Sequence, residues 1–483
     1  GVAFSLSVVA VMELAVMALE RNTAFKSSVG SWLPAVALLA FLLAGCSTPQ
    51  RSVDASGAVR RTVAELAALR PASIAHGLTS ATGERAVYET EIAAMRMAFA
   101  LPPGPEANEK LPAALNTALH FNTDLDTARD RLLAALPSAV TQPPAWQRNV
   151  LSAAHAQFAR EAAPMIPPLL PQIRTPREFA IAAYSLLRAN DTPEVRRLIA
   201  DTMRAGFPDA AQEPRLRALA QRLQPAASGE RPSLAELLAS PPRPGYPVVY
   251  SFQRKDRVRA GLAIVRDADG RFVRNVDGSL FNVAQYALAR TNLPGTITNG
   301  NTPQGVFVVK GTGSATNRWI GPTPYIESML PVEAPVVLFE NPNARDELPK
   351  LSEEDNRRLW TEAAYLSLLP SSWRSWTPIT EAFLAGQAGR DEILAHGNAI
   401  NTSYYRNEAW YPTAPSAGCL VSAEYWSRED GTLVHSDQLA LVKAFVSGGS
   451  DVGYLVVVEI DDQPRSVTLA DVIADVLAAE AKR

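Results

Sequence analysis

Apolar positions recur every three to four residues in the first half of this chain, and in the second half they alternate or run together. From Val53 to about Gln224, stretches such as TVAELAALR, ETEIAAMRMAFA and ARDRLLAALPSA put their apolar residues on one side of a helical turn. This spacing predicts amphipathic helices. Two helix starts are legible. TPREFAIAAYSLL places Thr175 at the N-cap, Pro176 in the first turn and Glu178 in capping-box position, and TPEVRRLIADTM repeats the start with Thr192 and Pro193. The offset, 192 − 175 = 17, hints at stacked helices, and two copies are too few to define a solenoid.

The pattern changes across QPAASGERPSLAELLASPPRPGYP, a connector rich in proline, serine and glycine with one short helical run inside it. Beyond it, PVVYSF, GLAIVRDADGRFVR, GVFVVKG, APVVLFE and GYLVVVEI read as strands, β-branched and bounded by turn residues. DADG after GLAIVR is a hairpin signal. LSEEDNRRLWTEAAYLSLL and SDQLALVKAFVSGG are helical interruptions. The fold class expected is therefore α/β and multidomain, with an all-α helical domain followed by a β-rich one.

The N-terminal region changes the domain picture. WLPAVALLAFLLAGCS follows Arg21 and Lys26, and its apolar run, 32–43, is short for a bilayer span and ends in small residues. That is the layout of a secretory signal. The tetrad Leu43-Ala44-Gly45-Cys46 resembles a bacterial lipobox, in which Cys46 becomes the lipidated first residue; a plain signal peptide or a short anchor helix is the alternative. Ser47 after the cysteine implies, by the same resemblance, the outer membrane. The apolar residues before Met17, interrupted by Glu13, read as lying upstream of the true start, with a second spanning helix as the other reading. The divisions expected are 1–46 signal region, 47–224 helical domain, 225–246 linker and 247–483 β-rich domain.

Lysine and arginine against aspartate and glutamate give 46 − 49 = −3, with no long basic run, so nucleic acid is not expected as a partner. His76, His120 and His155 have no neighbouring cysteine or close second histidine and are expected to be structural or surface residues. No metal or organic cofactor is implied.

The chain has two cysteines. With Cys46 lipidated, Cys419 is a lone thiol in an oxidising compartment, either a buried passenger or a reactive group. A reactive thiol needs a base or cation that lowers its pKa. Two histidines lie downstream of the connector, His396 and His435. His396, at the end of DEILAH and before Gly397, is the better base candidate, because His435 immediately precedes Ser436, the expected N-cap of a helix. Gly418 lets backbone approach a substrate, the Cys419 amide can donate to an oxyanion, and Ser416 can orient a neighbour or shape a turn.

HGN at 396–398, SAGCL at 416–420 and TPQGVF at 302–307 stand in an order that resembles the catalytic domain of the L,D-transpeptidases of YkuD type, over roughly 247–460. The family's histidine before Gly-Cys is Ala417 here, its arginine two places after the cysteine is Val421, and the histidine-to-cysteine gap, 419 − 396 = 23, is long. The resemblance implies an L,D-transpeptidase-like fold for 247–483 and acyl transfer through a thioester on Cys419, activated by His396. The expected substrates are peptidoglycan stem peptides, on the periplasmic side of the envelope, with membrane attachment through Cys46. The long loop supplies Tyr404, Tyr405 and Trp410 as flat amphipathic surface and Arg406 as a carboxylate fork, or else packs on its own aromatics. Hydrolysis by the same cysteine and a catalytically inactive murein-binding scaffold are the alternatives. In the scaffold reading the helical domain binds a protein partner.

Overall fold

The computed structural model describes residues 59–224, 229–347 and 351–482, which belong to one compact unit, Ser52–Arg483. The signal region with Cys46 lies outside the described residues. A helical region is followed by a sheet-rich one, so the α/β expectation holds.

The helical half is built around Pro176–Ala189. Its residues from Glu178 through Leu187 are buried on every side. Pro144–Gln157 packs beside it, while Pro193–Gly206 buries only Ile199 and Met203 and forms an outer layer. Thr192 caps its helix as expected, accepting from the Val195 N–H at 3.3 Å. Thr175 makes no side-chain cap, and the capping box expected with Glu178 does not form. Glu178 is buried and turns to Arg148 at 3.5 Å, since a carboxylate taken out of water needs a cation more than it needs its own N-cap.

The sheet has eight strands in the order β3-β2-β1-β10-β4-β5-β6-β7. In chain order they are β1 (Val248–Arg254), β2 (Gly261–Arg266), β3 (Val283–Gln285), β4 (Gly305–Gly313), β5 (Tyr325–Met329), β6 (Leu394–His396), β7 (Leu420–Val421) and β10 (Gly453–Asp461). A separate hairpin pairs β8 (Glu424–Trp426) with β9 (Leu433–Ser436). Just past β3, Tyr286 exchanges two backbone bonds of 2.8 Å with Val421 of β7, which nearly closes the sheet on itself. The DADG hairpin forms as expected, with Gly270 at φ 84°.

Two local readings are corrected. APVVLFE contains a short helix, Val336–Glu340, not a strand: Leu338 and Phe339 are buried, and the Phe339 ring stands edge-on to Trp360 at 4.8 Å. A short apolar run has no period that separates the two, and packing decided it. LSEEDNRRLWTEAAYLSLL holds two helices, Glu353–Leu359 and Glu362–Leu366, because the Trp360 indole N–H turns to Ala334 O at 2.7 Å and Thr361 caps a new start.

The expected linker 225–246 is described from Gly229 onward, and there it is packed. Leu234, Leu237 and Leu238 of Leu234–Ala239 are buried, and that helix lies against Ile473–Glu480. From the sheet-rich half, Leu293 and Ile297 enter the helical core, so the two halves share one interior. Among the described residues no helix is long and apolar enough to cross a membrane.

Candidate active site

Three segments meet at the seam where the sheet nearly closes. β6 and β7 run parallel, with Ala395 opposite Leu420 and His396 opposite Val421. Ala395 and Leu420 face an apolar core, so strand alternation turns Leu394, His396 and Cys419 to the other side of the sheet. The turn before β7 is folded by Ser416, whose Oγ accepts from the Gly418 N–H and donates to Cys419 O, both at 2.9 Å. Of the two roles expected for Ser416, these bonds are those of a turn-shaping residue. Gly418 has φ 123°, and a Cβ there would stand 2.1 Å from Arg390 Nη2 and 2.5 Å from Gly300 O, so only glycine fits.

The TPQGVF segment enters the site through Thr302, whose buried hydroxyl donates to Gly418 O at 2.8 Å. The loop carrying Thr302 is held from both sides by buried charges. Glu381 accepts from the Gly295 N–H at 2.9 Å and the Gln304 N–H at 3.0 Å. Arg390 donates to the carbonyls of Gly300 at 2.6 Å and Asn301 at 2.7 Å, and also to Gly295 O. The same guanidinium reaches Gly418 O at 3.4 Å. Burial lowers Arg390 to about 10, and burial raises the Glu381 carboxyl, with Glu459 adding to the rise.

Cys419 is partly exposed as a residue, yet its thiol lies in dense surroundings. The Leu394 N–H points at Sγ from 3.4 Å, and Sγ lies 3.6 Å from Glu392 O. Burial pushes the thiol above its ordinary pKa. The Leu394 N–H and Arg390 pull it down, and Glu392 and Glu333 raise it further. Desolvation thus outweighs the cation behind it.

His396 is buried, with Nδ1 2.5 Å from Gly397 O, so Nδ1 carries the proton and Nε2 is the acceptor nitrogen. Burial lowers its pKa to about 4, which leaves the ring neutral at pH 7. The imidazole is not among the hydrogen-bond partners of Sγ; the register sets Cys419 beside Leu394, two residues before His396. Beneath the His-Gly turn lies Glu424, which accepts from the Asn398 N–H at 2.9 Å and from Ser436 Oγ at 2.6 Å and is pushed up to about 7 by burial. A Cβ on Gly397 would stand 2.1 Å from this carboxyl carbon, which accounts for the glycine after His396. His435 is exposed and pairs with Asp437 at 2.9 Å, and Ser436 caps its helix as expected.

The aromatic loop is used for packing. Tyr405 is buried and its hydroxyl donates to His120 O. Tyr404 stacks on Tyr88 at 5.4 Å and meets Phe121 edge-on at 5.3 Å. The open substrate surface expected of Tyr404 and Tyr405 is thus a clamp onto the helical half, where aromatic area is buried to better effect. Trp410 is half-buried, 6.3 Å from Tyr405, and Arg406 is exposed with no ion pair among the described residues. Ala417 is exposed and Val421 is buried in β7. His120 and His155 are packed and held neutral by burial, and His76 meets Arg318 O at 2.9 Å. Among the described residues no three His, Cys, Asp or Glu side chains group as metal ligands.

Fold and site together define a mixed α/β protein with one partly exposed cysteine at the seam of a nearly closed sheet. No protein-family model, curated protein or solved structure matches the chain.

Proposed function

We propose that this chain is a cysteine acyltransferase of L,D-transpeptidase type, acting on peptidoglycan stem peptides. The observation that carries the reading is the Thr302 hydroxyl bonded to Gly418 O, which joins two of the three motif segments beside the strand that holds the third. Cys419 Sγ attacks the carbonyl between an L-configured centre and a terminal D-amino acid, and His396 Nε2 takes the thiol proton as the C–S bond forms. A neutral imidazole and a protonated thiol suit this order, in which the proton leaves during attack and not before it. The Cys419 amide is the turn's donor for the oxyanion, since the Gly418 N–H is taken by Ser416 Oγ. The C–N bond then breaks, the D-amino acid leaves with the proton from His396, and the thioester passes to an amine, giving a crosslink, or to water, giving a trimmed stem. A lipid on Cys46 would hold the enzyme at the outer membrane, facing its polymer.

The inactive-scaffold reading also has an observation in its favour: the two partners of Sγ are backbone groups. Incubating the chain from Ser47 onward with purified sacculi, and weighing the muropeptides, separates the readings. Crosslinked products that vanish with Cys419→Ser support transfer, shortened stems support hydrolysis, and unchanged muropeptides leave the scaffold.

A further inference from the structure

Away from Cys419, a cleft of about 850 Å³ opens between the helical half and the sheet-rich half. Neither Cys419 nor His396 lines it. One wall is the helix Pro214–Leu223 and another is the 376–384 segment. Its floor is the loop from Asn292 to Gln304, which also brings Thr302 to the thiol turn.

The charges of the lining are largely spent within the protein. Asp191 is taken by Arg196 at 2.5 Å and Arg222 at 2.7 Å, and Glu459 by Arg257 at 2.8 Å. Both oxygens of Glu381 accept from backbone N–H groups. Exposed Lys255 adds one charge that solvent screens. The cleft therefore favours a neutral ligand, and it offers one a fixed donor and a flat apolar face. The donor is Asn292, held in the left-handed region at φ 49°. The Ala289 N–H donates to Asn301 Oδ1 at 2.8 Å, which makes Asn301 Nδ2 a donor in turn, to Asn292 Oδ1 at 2.8 Å. This order fixes which way the Asn292 amide points. Its Nδ2, on a half-buried side chain of the lining, has no partner among the described residues. The flat face is the half-buried indole of Trp376, held edge-on to the buried Trp373 ring at 5.3 Å. Exposed Gln221 and Thr377 add an amide and a hydroxyl. A carbonyl oxygen suits the fixed donor, and a face of C–H groups suits the indole. A pyranose ring bearing an acetamido group supplies both, and the space far exceeds one ring.

We propose that this cleft is a second ligand site, which takes a short oligosaccharide of N-acetylhexosamine units. An acetamido carbonyl accepts from Asn292 Nδ2, and a sugar ring lies on Trp376. The site does not depend on the chemistry assigned to Cys419, and a Cys419→Ser chain binds equally well.

The test is calorimetric titration at pH 7 of the chain from Ser47 onward, which contains the whole compact unit Ser52–Arg483. The probes are the N-acetylglucosamine trimer, the matching glucose trimer, which lacks the acetamido groups, and N-acetyl-trialanine amide, which has the carbonyls without the ring. The N-acetylglucosamine trimer is expected to bind, and the other two to bind about tenfold more weakly or worse. Asn292→Asp keeps the bond from Asn301 and replaces the free donor by an acceptor, so the preference for the acetamido sugar is lost. Trp376→Leu removes the flat face and weakens both sugars; because Trp376 also packs on Trp373, its fold is checked by circular dichroism, and Asn292→Asp decides alone if that fold is lost. No heat with the N-acetylglucosamine trimer at millimolar concentration overturns the proposal. So does equal binding of the glucose trimer or of the peptide amide, an undiminished preference in Asn292→Asp, or full binding by a folded Trp376→Leu chain.

Discussion

Thr302 and Gly418 lie 116 residues apart in sequence and are joined by a buried hydrogen bond of 2.8 Å. That bond fixes the carbonyl immediately before the cysteine to the loop that starts β4. Arg390 reaches the same carbonyl from behind, and the loop's Leu293 and Ile297 are rooted in the helical core. The helical half thus supports the thiol turn through one loop.

Thr302→Val keeps the shape and removes the donor. Stability to urea should fall by about 1–3 kcal/mol, the cost of losing one buried hydrogen-bond partner. The turn loosens as well, so alkylation of Cys419 should become faster in the folded variant. Unchanged stability and unchanged labelling would show that the bond does not hold the turn.

The raised thiol sets the pH dependence of labelling. The rate of alkylation of Cys419 by a small reagent should reach half its maximum at a higher pH than that of a free cysteine. Glu333, pushed up to about 7 by burial, is ionised at that pH and opposes the thiolate. Glu333→Gln should therefore shift the midpoint downward. Rapid labelling at pH 6 would contradict the burial argument.

Glu424 carries a stability signature. Its folded pKa, about 7, lies above the ordinary 4.5, so the folded state holds this proton more tightly. Its contribution is fully present below pH 4.5 and is lost as pH rises through 7. Glu424→Gln removes that dependence. Measured by Tm, the variant should gain on the wild type as pH goes from 5 to 8, and parallel curves would contradict the assignment.

The packed connector changes what proteolysis should give. A protease site inserted after Gln224 should yield a nicked chain that still elutes as one species. Arg217 pairs with Glu362 at 2.7 Å, Arg215 reaches Ala388 O, and the His155 ring meets Asn292 O at 3.1 Å across the two halves. Two separate folded pieces would mean that this shared interior does not hold.

The amphipathic helices, the DADG hairpin and most strands were legible because local period and turn chemistry carry them. APVVLFE was not, since Phe339 owes its place to Trp360, which no local pattern announces. The same holds at the site. Cys419, Gly418 and Thr302 stand out as motif residues, whereas Arg390, Glu381 and Glu424 look like ordinary surface charges. Their burial depends on partners from 12 residues away, as for Glu424 and Ser436, to 95 residues away, as for Arg390 and Gly295. Tyr404 and Tyr405 read as a binding surface for the same reason: the helix that covers them ends at Phe121, far upstream.

The central claim is that Cys419 forms an acyl-enzyme. Intact-mass measurement of the chain from Ser47 onward, quenched in acid after brief exposure to a stem tetrapeptide, tests it most directly. The account predicts an adduct equal to the peptide less its terminal D-amino acid, located on Cys419, absent from Cys419→Ser and strongly reduced in His396→Ala, while His435→Ala forms it normally. No adduct on a folded wild-type chain, or an adduct that persists in Cys419→Ser, would contradict it.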